Sequence, residues 1–309
     1  MNTAVKKTTI GGQALIEGLM MRGPDLTAMG VRAPDGQITM ETWATSPGAK
    51  PWYKKAPVIR GVFNMIDSQV LGFKCLMKSA DLAGMEEEEP SRFEKWLAKT
   101  FHADLSVIVS TVAVVMGVVL ALLLFMVAPT GLSSLLRPVV GSSMALSFIE
   151  GGIKLSLFIL YLWATTRMKE MRRVYECHGA EHKTIACYEA GKPLTVENIR
   201  GFTRFHPRCG TSFLVLVLLI SILLFSVVTW TNPLVRVLLK LALLPLVVGL
   251  SYEVIRLAGR YNNPLTRIVS APGLWIQRLT TREPDDDQLE VAIAVMKLVI
   301  PQDKDADIW

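Results

Sequence analysis

Long apolar runs dominate the hydrophobic pattern of this chain. Residues 105–128 form a run of 24 residues without a charge, and residues 213–230 form another of 18. Both runs are long enough to cross a bilayer as helices. Two further runs, 145–166 and 234–255, are apolar apart from a few charged residues. The pattern predicts four transmembrane helices, and two spans with two re-entrant or surface helices are the alternative.

The composition also favours an integral membrane protein. Of the 309 residues, 51% are hydrophobic and only 19% are charged, and the mean hydropathy is +0.37. Soluble domains are about a quarter charged, and disordered chains have far less to bury. Four cysteines are too few for a disulfide scaffold. No apolar segment follows the N-terminal lysines, so a cleaved signal peptide is not expected.

The basic residues are distributed unevenly around the apolar runs. Of the 33 lysines and arginines, 13 lie in residues 1–103, nine in 167–211 and seven in 256–309. Residues 129–144 hold one, and the link between the last two spans holds none. Because basic loops stay in the cytoplasm, both termini and the middle loop are predicted to be cytoplasmic. The net charge of +6 then belongs to these loops, and DNA binding is not expected.

These patterns divide the chain into five segments. They are a cytoplasmic N-terminal segment (1–103), transmembrane helices 1 and 2 (104–166), a cytoplasmic His/Cys loop (167–211), transmembrane helices 3 and 4 (212–255) and a cytoplasmic tail (256–309). The predicted fold is that of a mainly α integral membrane protein with about four transmembrane helices. The three cytoplasmic segments are long enough to build one mixed α+β domain.

Shorter periodicities predict the elements of this cytoplasmic domain. Residues 12–46 are β-like, with a hairpin turn at residues 34–36, and residues 13–22 are expected to pair beside that hairpin. Residues 58–82 are typical of an amphipathic helix that packs on the hairpin or lies on the membrane interface. The apolar stripe of this helix consists of Ile59, Val62, Phe63, Ile66, Val70, Phe73 and Met77. An acidic start after Pro284 predicts a docking helix in the tail.

One cluster of side chains has the residue types needed for chemistry. Three of the four histidines and three of the four cysteines lie between Cys177 and Cys209. Within this window, His178 and His182 belong to an H-x-x-E-H pattern in a segment that can be helical up to Gly191. Residues four apart share a helix face, so both imidazoles can bind the same Zn²⁺ ion.

The remaining members of such a site leave three alternatives open. Glu181 is adjacent to the histidine face and is placed to take a proton from a metal-bound water. His206 or Cys209 can complete three ligands and leave a position for water, whereas binding by both closes the site into a structural staple. Glu253 is a weaker and more remote candidate for the third ligand. The third alternative is a polar loop that holds no metal.

Three further ionisable residues are candidates for function. Glu150 and Lys154 lie four apart inside a predicted span, so they are expected to pair or to face the bundle interior. A polar pathway and a pair that locks the bundle are the two interpretations. Glu17, in the N-terminal β-like region, is a speculative partner of the metal site, and a surface or capping role is the simpler explanation for it.

Four segments of the chain resemble the YqhQ-like family of bacterial membrane proteins. They are GGQALIEGLMMRGP at 11–24, HGAEHK at 178–183, HPRCGT at 206–211 and PGLWIQRLTTREP at 272–284. The family is a domain of unknown function, usually described as a predicted metal-dependent enzyme. The resemblance implies metal binding by His178, His182, His206 and Cys209, with Glu181 as the base. It also implies a multi-pass protein of the bacterial inner membrane, and it gives no substrate.

Three functional hypotheses follow. The first is a membrane-embedded, zinc-dependent hydrolase with its site at the cytoplasmic membrane surface, acting on a membrane protein segment or a lipid headgroup. The second is a non-enzymatic scaffold in membrane protein biogenesis, beside the translocation machinery, with a structural His/Cys site. Its basic face is suited to ribosome contact. The third is a transporter, in which Glu150 and Lys154 line a path.

Overall fold

The computed structural model describes residues 7–45, 51–85, 92–101, 105–227, 232–261, 263–303 and 306–308. In this part of the chain the structure is mainly helical, with one small sheet near the N-terminus. The strands are β1 (Gly11–Leu15), β2 (Gly18–Arg22), β3 (Leu26–Arg32) and β4 (Ile38–Ala44). The helices are α1 (Ile59–Leu82), α2 (Arg92–Phe101), α3 (Leu105–Leu122), α4 (Ala128–Leu135), α5 (Ser143–Thr165), α6 (Lys169–Glu189), α7 (Val196–Arg200), α8 (Gly210–Ser226), α9 (Pro233–Arg260), α10 (Pro264–Thr280) and α11 (Asp286–Val299). The chain forms two compact units, one of residues up to 85, 162–220 and from 245, and the other of residues 86–161 and 221–244.

The sheet is an antiparallel meander in the order β1-β2-β3-β4. The predicted hairpin turn is confirmed between β3 and β4, where Gly36 has φ +84°. Residues 13–22, expected as one pairing segment, form a second hairpin because the chain turns at Glu17 with φ +50°. Gly18 follows this turn and lies directly against the backbone of Gly30, where a side chain would clash.

The sheet is covered by helices on both faces. Leu19 and Met21 of β2 join the core formed with α6 and α11, whereas Met20 points to the opposite face and packs near Cys75 of α1. Alternate residues of a strand point to opposite faces, so residues 19–21 of β2 are all apolar and do not alternate with polar ones. The predicted tail helix is confirmed as α11, and a capping box between Asp285 and Gln288 begins it.

Helix α1 matches its predicted range but buries a different face. Five residues of the predicted stripe are 36–51% exposed, so the stripe does not pack on the hairpin; they are Ile59, Phe63, Ile66, Val70 and Met77. The buried face instead carries the small residues Gly61, Gly72, Cys75 and Ser79. The Gln13 side chain occupies the space where a Cβ of Gly72 would stand. Small residues allow this close approach, and a search for large apolar side chains overlooks them.

Three helical stretches are long and apolar enough to cross a membrane by length and composition: Val107–Leu135, Ser143–Thr165 and Leu234–Arg260. The first exceeds its predicted length because a π-helical turn at Leu123–Val127 joins α3 to α4. The predicted span 213–230 corresponds to α8, which is a shorter apolar helix among the described residues. Residues 228–230 of that prediction lie outside the described part of the chain.

Helix α11 supplies the test of this core. Met296 is fully buried between α11 and the sheet. We expect Met296→Ala to lower the free energy of unfolding by about 2–5 kcal/mol, because it leaves a cavity in a closely packed core. The neighbouring Lys297 is exposed, and Lys297→Ala should change stability by less than about 0.5 kcal/mol. Denaturant titration of the detergent-solubilised protein measures both, and equal stabilities would contradict the assignment of this core.

Candidate metal centre

The histidines of the H-x-x-E-H pattern lie on α6. The helix predicted around them is confirmed, and Gly191, with φ +66°, follows its end. Most of the second half of α6 is buried, because it packs between the sheet and α11. His178 and His182 therefore project from a rigid element, and their rings lie 4.4 Å apart between centroids.

Cys209 completes a group of three candidate metal ligands. One nitrogen of each histidine and the Cys209 sulfur all lie within 4.8 Å of one another. His178 Nε2 is 3.1 Å from Cys209 Sγ. Cys209 lies immediately before the first residue of α8. Two imidazoles and one thiolate form a donor set typical of zinc, and three protein ligands leave a fourth tetrahedral position.

Backbone carbonyls fix the orientation of both rings. His178 Nδ1 lies 2.8 Å from the Thr280 carbonyl oxygen, and His182 Nδ1 lies 2.6 Å from that of Arg204. A carbonyl oxygen only accepts, so in each ring Nδ1 carries the proton. In the neutral ring Nε2 then has the lone pair, and in His178 this atom lies against Cys209. Metal-binding histidines are commonly held in this way by a second layer of acceptors.

The electrostatics of the cluster favour a thiolate. Burial opposes the charged form of Cys209, but the adjacent His178 and His182 outweigh it and hold the pKa of the thiol well below its usual range. Burial likewise disfavours a charged His178, yet Cys209 raises the pKa of this imidazole to about 9. The two groups stabilise each other as an ion pair when no metal is bound. The thiolate is the form of cysteine that binds metal.

Glu181 is buried beside the three ligand residues. Burial raises the pKa of its carboxyl group, and the nearby histidines partly offset this effect. The backbone N–H of Gly12, in β1, donates a hydrogen bond to the carboxyl group. An ideal Cβ on Gly12 would lie 2.4 Å from the Met20 carbonyl oxygen and 3.1 Å from the Glu181 carboxyl carbon, so a side chain here would clash with β2 and crowd Glu181. Glu181 is thus adjacent to the cluster but is not one of its three ligands.

His206 lies next to the cluster and faces away from it. Its ring centroid is 5.6 Å from that of His182, but its Nε2 is 3.6 Å from Glu189 Oε2. Burial lowers the pKa of His206, against the opposing effect of Glu189. The side chain of Gln277 accepts from the His206 N–H at 2.8 Å and donates to its carbonyl oxygen at 2.7 Å. His206 is therefore held beside the three ligands and not among them.

The other carboxylates proposed from the sequence have partners elsewhere. Glu17 binds Arg173 through both carboxylate oxygens, at 2.8 and 2.6 Å. Glu253 accepts hydrogen bonds from the side chain of Arg60 and from the backbone N–H of Val58. The structure thus brings neither carboxylate to the cluster, and both serve as ion-pair partners.

Glu150 and Lys154 are both buried, yet they do not form an ion pair. Glu150 Oε2 lies 3.0 Å from the Arg236 guanidinium, and Oε1 contacts the Lys240 ammonium. Thr130 also donates to Oε1 at 2.9 Å. The Lys154 ammonium lies instead over the Phe225 ring, 5.1 Å from its centroid. Arg236 and Lys240, four residues apart on α9, reach the carboxylate together and replace the local partner.

Several residues that build the cluster had no signal in the sequence. The Thr280 and Arg204 carbonyls act through the backbone, so their residue types do not reveal them. Gln277 lies in the segment 272–284, whose resemblance to the family was noted without a role for the glutamine. Gly179 gives no favourable signal either, because glycine weakens helices.

Gly179 has a specific role in the fold. A Cβ at this position would clash with the Arg282 carbonyl oxygen. The Arg282 N–H donates to the Tyr175 carbonyl oxygen at 2.8 Å, which ties the 281–284 segment to α6. The same connection positions the Thr280 carbonyl against His178. Glycine at position 179 therefore permits the contact that orients the first histidine.

This contact can be tested with one methyl group. We expect Gly179→Ala to destabilise the protein by about 1–3 kcal/mol through overpacking, and to lower any bound metal in proportion. Gly152, a helical glycine with open space around it, is the matched control. Gly152→Ala should be neutral or stabilising by up to about 1 kcal/mol. Thermal unfolding and elemental mass spectrometry measure both effects, and a fully stable Gly179→Ala protein would refute the role of this glycine.

Comparison with known proteins identifies the family. The chain is 35% identical to the uncharacterized protein YqhQ of Bacillus subtilis (strain 168) over 287 residues, which cover 92% of this chain and 89% of that relative. A family model described as a protein of unknown function, DUF1385, matches residues 56–302. No solved structure matches the chain. The resemblance found in the four sequence segments is confirmed, and the chain belongs to the DUF1385 family, whose members include YqhQ-like proteins.

Proposed function

We propose that this protein is a metal-dependent hydrolase of the bacterial inner membrane, with a Zn²⁺ centre at His178, His182 and Cys209. The observation that supports it best is the orientation of the two imidazoles. Each Nδ1 donates to a backbone carbonyl oxygen, and the other nitrogens lie near the Cys209 sulfur. A histidine that served only for packing would not need one ring nitrogen bonded to a carbonyl and the other directed at the Cys209 thiolate.

The donor set fits zinc better than harder cations. Nitrogen and sulfur ligands select zinc or other transition metals over magnesium or calcium, which prefer oxygen. When bound, Zn²⁺ would supply a Lewis acid and a water of lowered pKa at the fourth position. The residues of this chain would keep their present roles: the carbonyls of Thr280 and Arg204 orient the rings, and Cys209 is bound as a thiolate.

Glu181 is the candidate for proton transfer. A general base works best when its pKa lies near the working pH, and burial moves this carboxyl group in that direction. In hydrolysis, Glu181 would accept a proton from the attacking water and return it to the leaving group. The Gly12 N–H would hold the carboxylate in place during both transfers. These are the roles of the glutamate in an H-x-x-E-H site.

The proposed location rests on the apolar helices and on the distribution of basic residues along the chain. Three helical stretches have the length and composition of membrane spans, and most basic residues lie in the segments between or outside the apolar runs. By the positive-inside rule these segments, including α6, and both termini lie in the cytoplasm of a multi-pass protein. Cys209 directly precedes the apolar helix α8. The centre would then lie near the cytoplasmic membrane surface, within reach of a lipid headgroup or a membrane protein segment.

A non-enzymatic scaffold is the second candidate, and the burial of the ligands favours it. His182 is 2% exposed and Cys209 is 6% exposed, so water and substrate have little access to them. A structural zinc site needs no such access. Such a site would hold the 206–209 segment against α6. The protein would then act as an accessory factor in membrane protein biogenesis, beside the translocation machinery, with ribosome contact through its basic surface.

Metal content tests both candidates together. We expect about one zinc per chain in detergent-purified protein, and a loss of at least tenfold in His182→Ala and in Cys209→Ser, because each removes a ligand. Cys187, buried on the same helix but outside the cluster, is the control, and Cys187→Ser should retain the metal. Elemental mass spectrometry gives the counts. Folded wild-type protein that stays metal-free when zinc is supplied would rule out both candidates.

A variant of His206 tests whether the metal would have three or four protein ligands. We expect His206→Ala to keep its metal, because His206 contacts Glu189 and is not among the three candidate ligands. Loss of the metal would show that His206 is a fourth ligand. The closed outcome would favour the scaffold, because no position for water would remain.

Glu181→Gln separates the enzyme from the scaffold. In a strain lacking the chromosomal copy, we expect the variant to bind metal and to be stable but to fail to restore the wild-type phenotype, because the amide cannot accept a proton. Glu170, in the first turn of the same helix and exposed, is the control, and Glu170→Gln should complement. The readout is the difference between deletion and wild-type strains in membrane protein and lipid content. Full complementation by Glu181→Gln would leave the scaffold as the function.

A further inference from the structure

A basic cavity lies where α5 ends and α6 begins. Its volume is about 380 Å³, and four cationic side chains line it: Arg167, Lys169, Arg172 and Arg282. No acidic side chain of the described residues is part of its lining. Cavities of this size accept a small ligand, and an excess of positive charge in a cavity selects an anion.

Three of the four cations are available to a ligand. In the described part of the chain, no carboxylate lies within 4.0 Å of the charged groups of Arg167, Lys169 or Arg282, whereas Arg172 bonds Glu176 at 3.0 Å. The buried Nε of Arg282 has no hydrogen-bond partner among the described residues. Because this Nε is buried, the two Nη groups are the donors that a phosphate would use, through two parallel hydrogen bonds.

The backbone adds to this preference for anions. Helix α6 has 21 residues and begins at Lys169, inside the lining of the cavity. Its N-cap residue, Met168, makes no side-chain capping hydrogen bond. The first N–H groups of the helix, together with the positive end of its dipole, therefore face the ligand without a competing side chain.

The surroundings of the cavity are those of a membrane surface. Trp163 lines the cavity, and the Arg167 guanidinium lies 4.7 Å from the centre of its ring. Trp163 belongs to the last turns of the apolar stretch Ser143–Thr165. Tryptophan and arginine at the end of a span are typical of the headgroup layer.

From these observations we propose that the cavity binds a phosphate group, supplied by the headgroup of an anionic phospholipid or by free phosphate. The cations neutralise the phosphate, the Arg282 edge and the α6 N-terminus donate hydrogen bonds to it, and Trp163 packs on the adjoining apolar part. None of the lining residues is a proposed metal ligand, so this site does not depend on the metal centre.

The cavity and the metal centre are nevertheless connected through one residue. The side chain of Arg282 lines the cavity, while its carbonyl oxygen contacts Gly179, next to His178. If the proposed function holds, a phosphate bound here would anchor an anionic substrate beside the centre. This extension rests on the proposed function, whereas phosphate binding itself does not.

The test compares full-length protein in detergent with two variants. Arg167→Gln with Lys169→Gln removes two exposed charges from the cavity, and Arg282→Gln removes the free guanidinium. Arg260→Gln is the matched control, because Arg260 also lies over an aromatic ring, Tyr261, at the end of a span but does not line the cavity. Calorimetric titration with inorganic phosphate, and with short-chain phosphatidylglycerol and phosphatidylcholine below their micellar concentrations, measures affinity.

We expect at least tenfold weaker binding in both cavity variants and unchanged binding in Arg260→Gln. Phosphatidylglycerol binding more tightly than inorganic phosphate identifies a lipid headgroup, and equal affinities identify free phosphate. No binding of either probe to the wild type, or equal binding to the cavity variants, would overturn the proposal. Zinc content measured on the same samples distinguishes failure of the phosphate site from failure of the metal centre, because the cavity variants should retain their metal.

Discussion

The close approach of backbone segments to α6 is the constraint on which the candidate centre depends. On one side, Gly179 admits the Arg282 carbonyl, and on the other, Gly12 of β1 lies against Glu181. Both contacts require a glycine, one on the helix and one on the strand. Without them the sheet, the 281–284 segment and the helix could not meet at the distance that orients His178 and encloses Glu181.

The same packing explains why the centre is so well shielded. Helix α6 is buried by the sheet and by α11, and the Asp285 cap of α11 also binds Arg173 of α6 at 2.6 Å. Lys183, buried on α6, bonds Glu283 at 2.5 Å. Ion pairs therefore hold the 283–285 segment along the helix. Three of these four side chains are partly exposed, so each pair adds little net stability and serves mainly to align the segment with the helix.

The sequence predicted the local elements well, since they depend on short-range signals. The turn at Gly36, the helix end at Gly191 and the capped start of α11 each rest on residues that have few other conformations. The pairing of His178 with His182 follows from helical spacing alone. Cys209, one of the alternatives for the third ligand, lies 27 residues beyond His182, and only the fold could distinguish it from His206.

The features that the sequence left unpredicted depend on tertiary contacts. Helix α1 buries its small residues because the Gln13 side chain and Tyr252 come close to it, and no periodicity of large apolar residues encodes that choice. The spacing of Glu150 and Lys154 favoured a local pair, but α9 brought two stronger competitors to the carboxylate. Every residue has a backbone carbonyl, so the sequence does not mark the carbonyl of Thr280 as the one that accepts from His178.

The charge network around Glu150 bears on how the chain enters a bilayer. Helix α9 carries Arg236 and Lys240 near its start. A cation costs about 2.5–3.5 kcal/mol at the centre of an inserting helix and less near its ends. Glu150 on α5 is the carboxylate that offsets both. If α5 and α9 cross a bilayer as proposed, α5, which is synthesised first, already carries the carboxylate that pairs with both cations of α9. On that proposed location, the order of the helices along the chain would also favour their order of insertion, because the earlier helix carries the counter-charge of the later one.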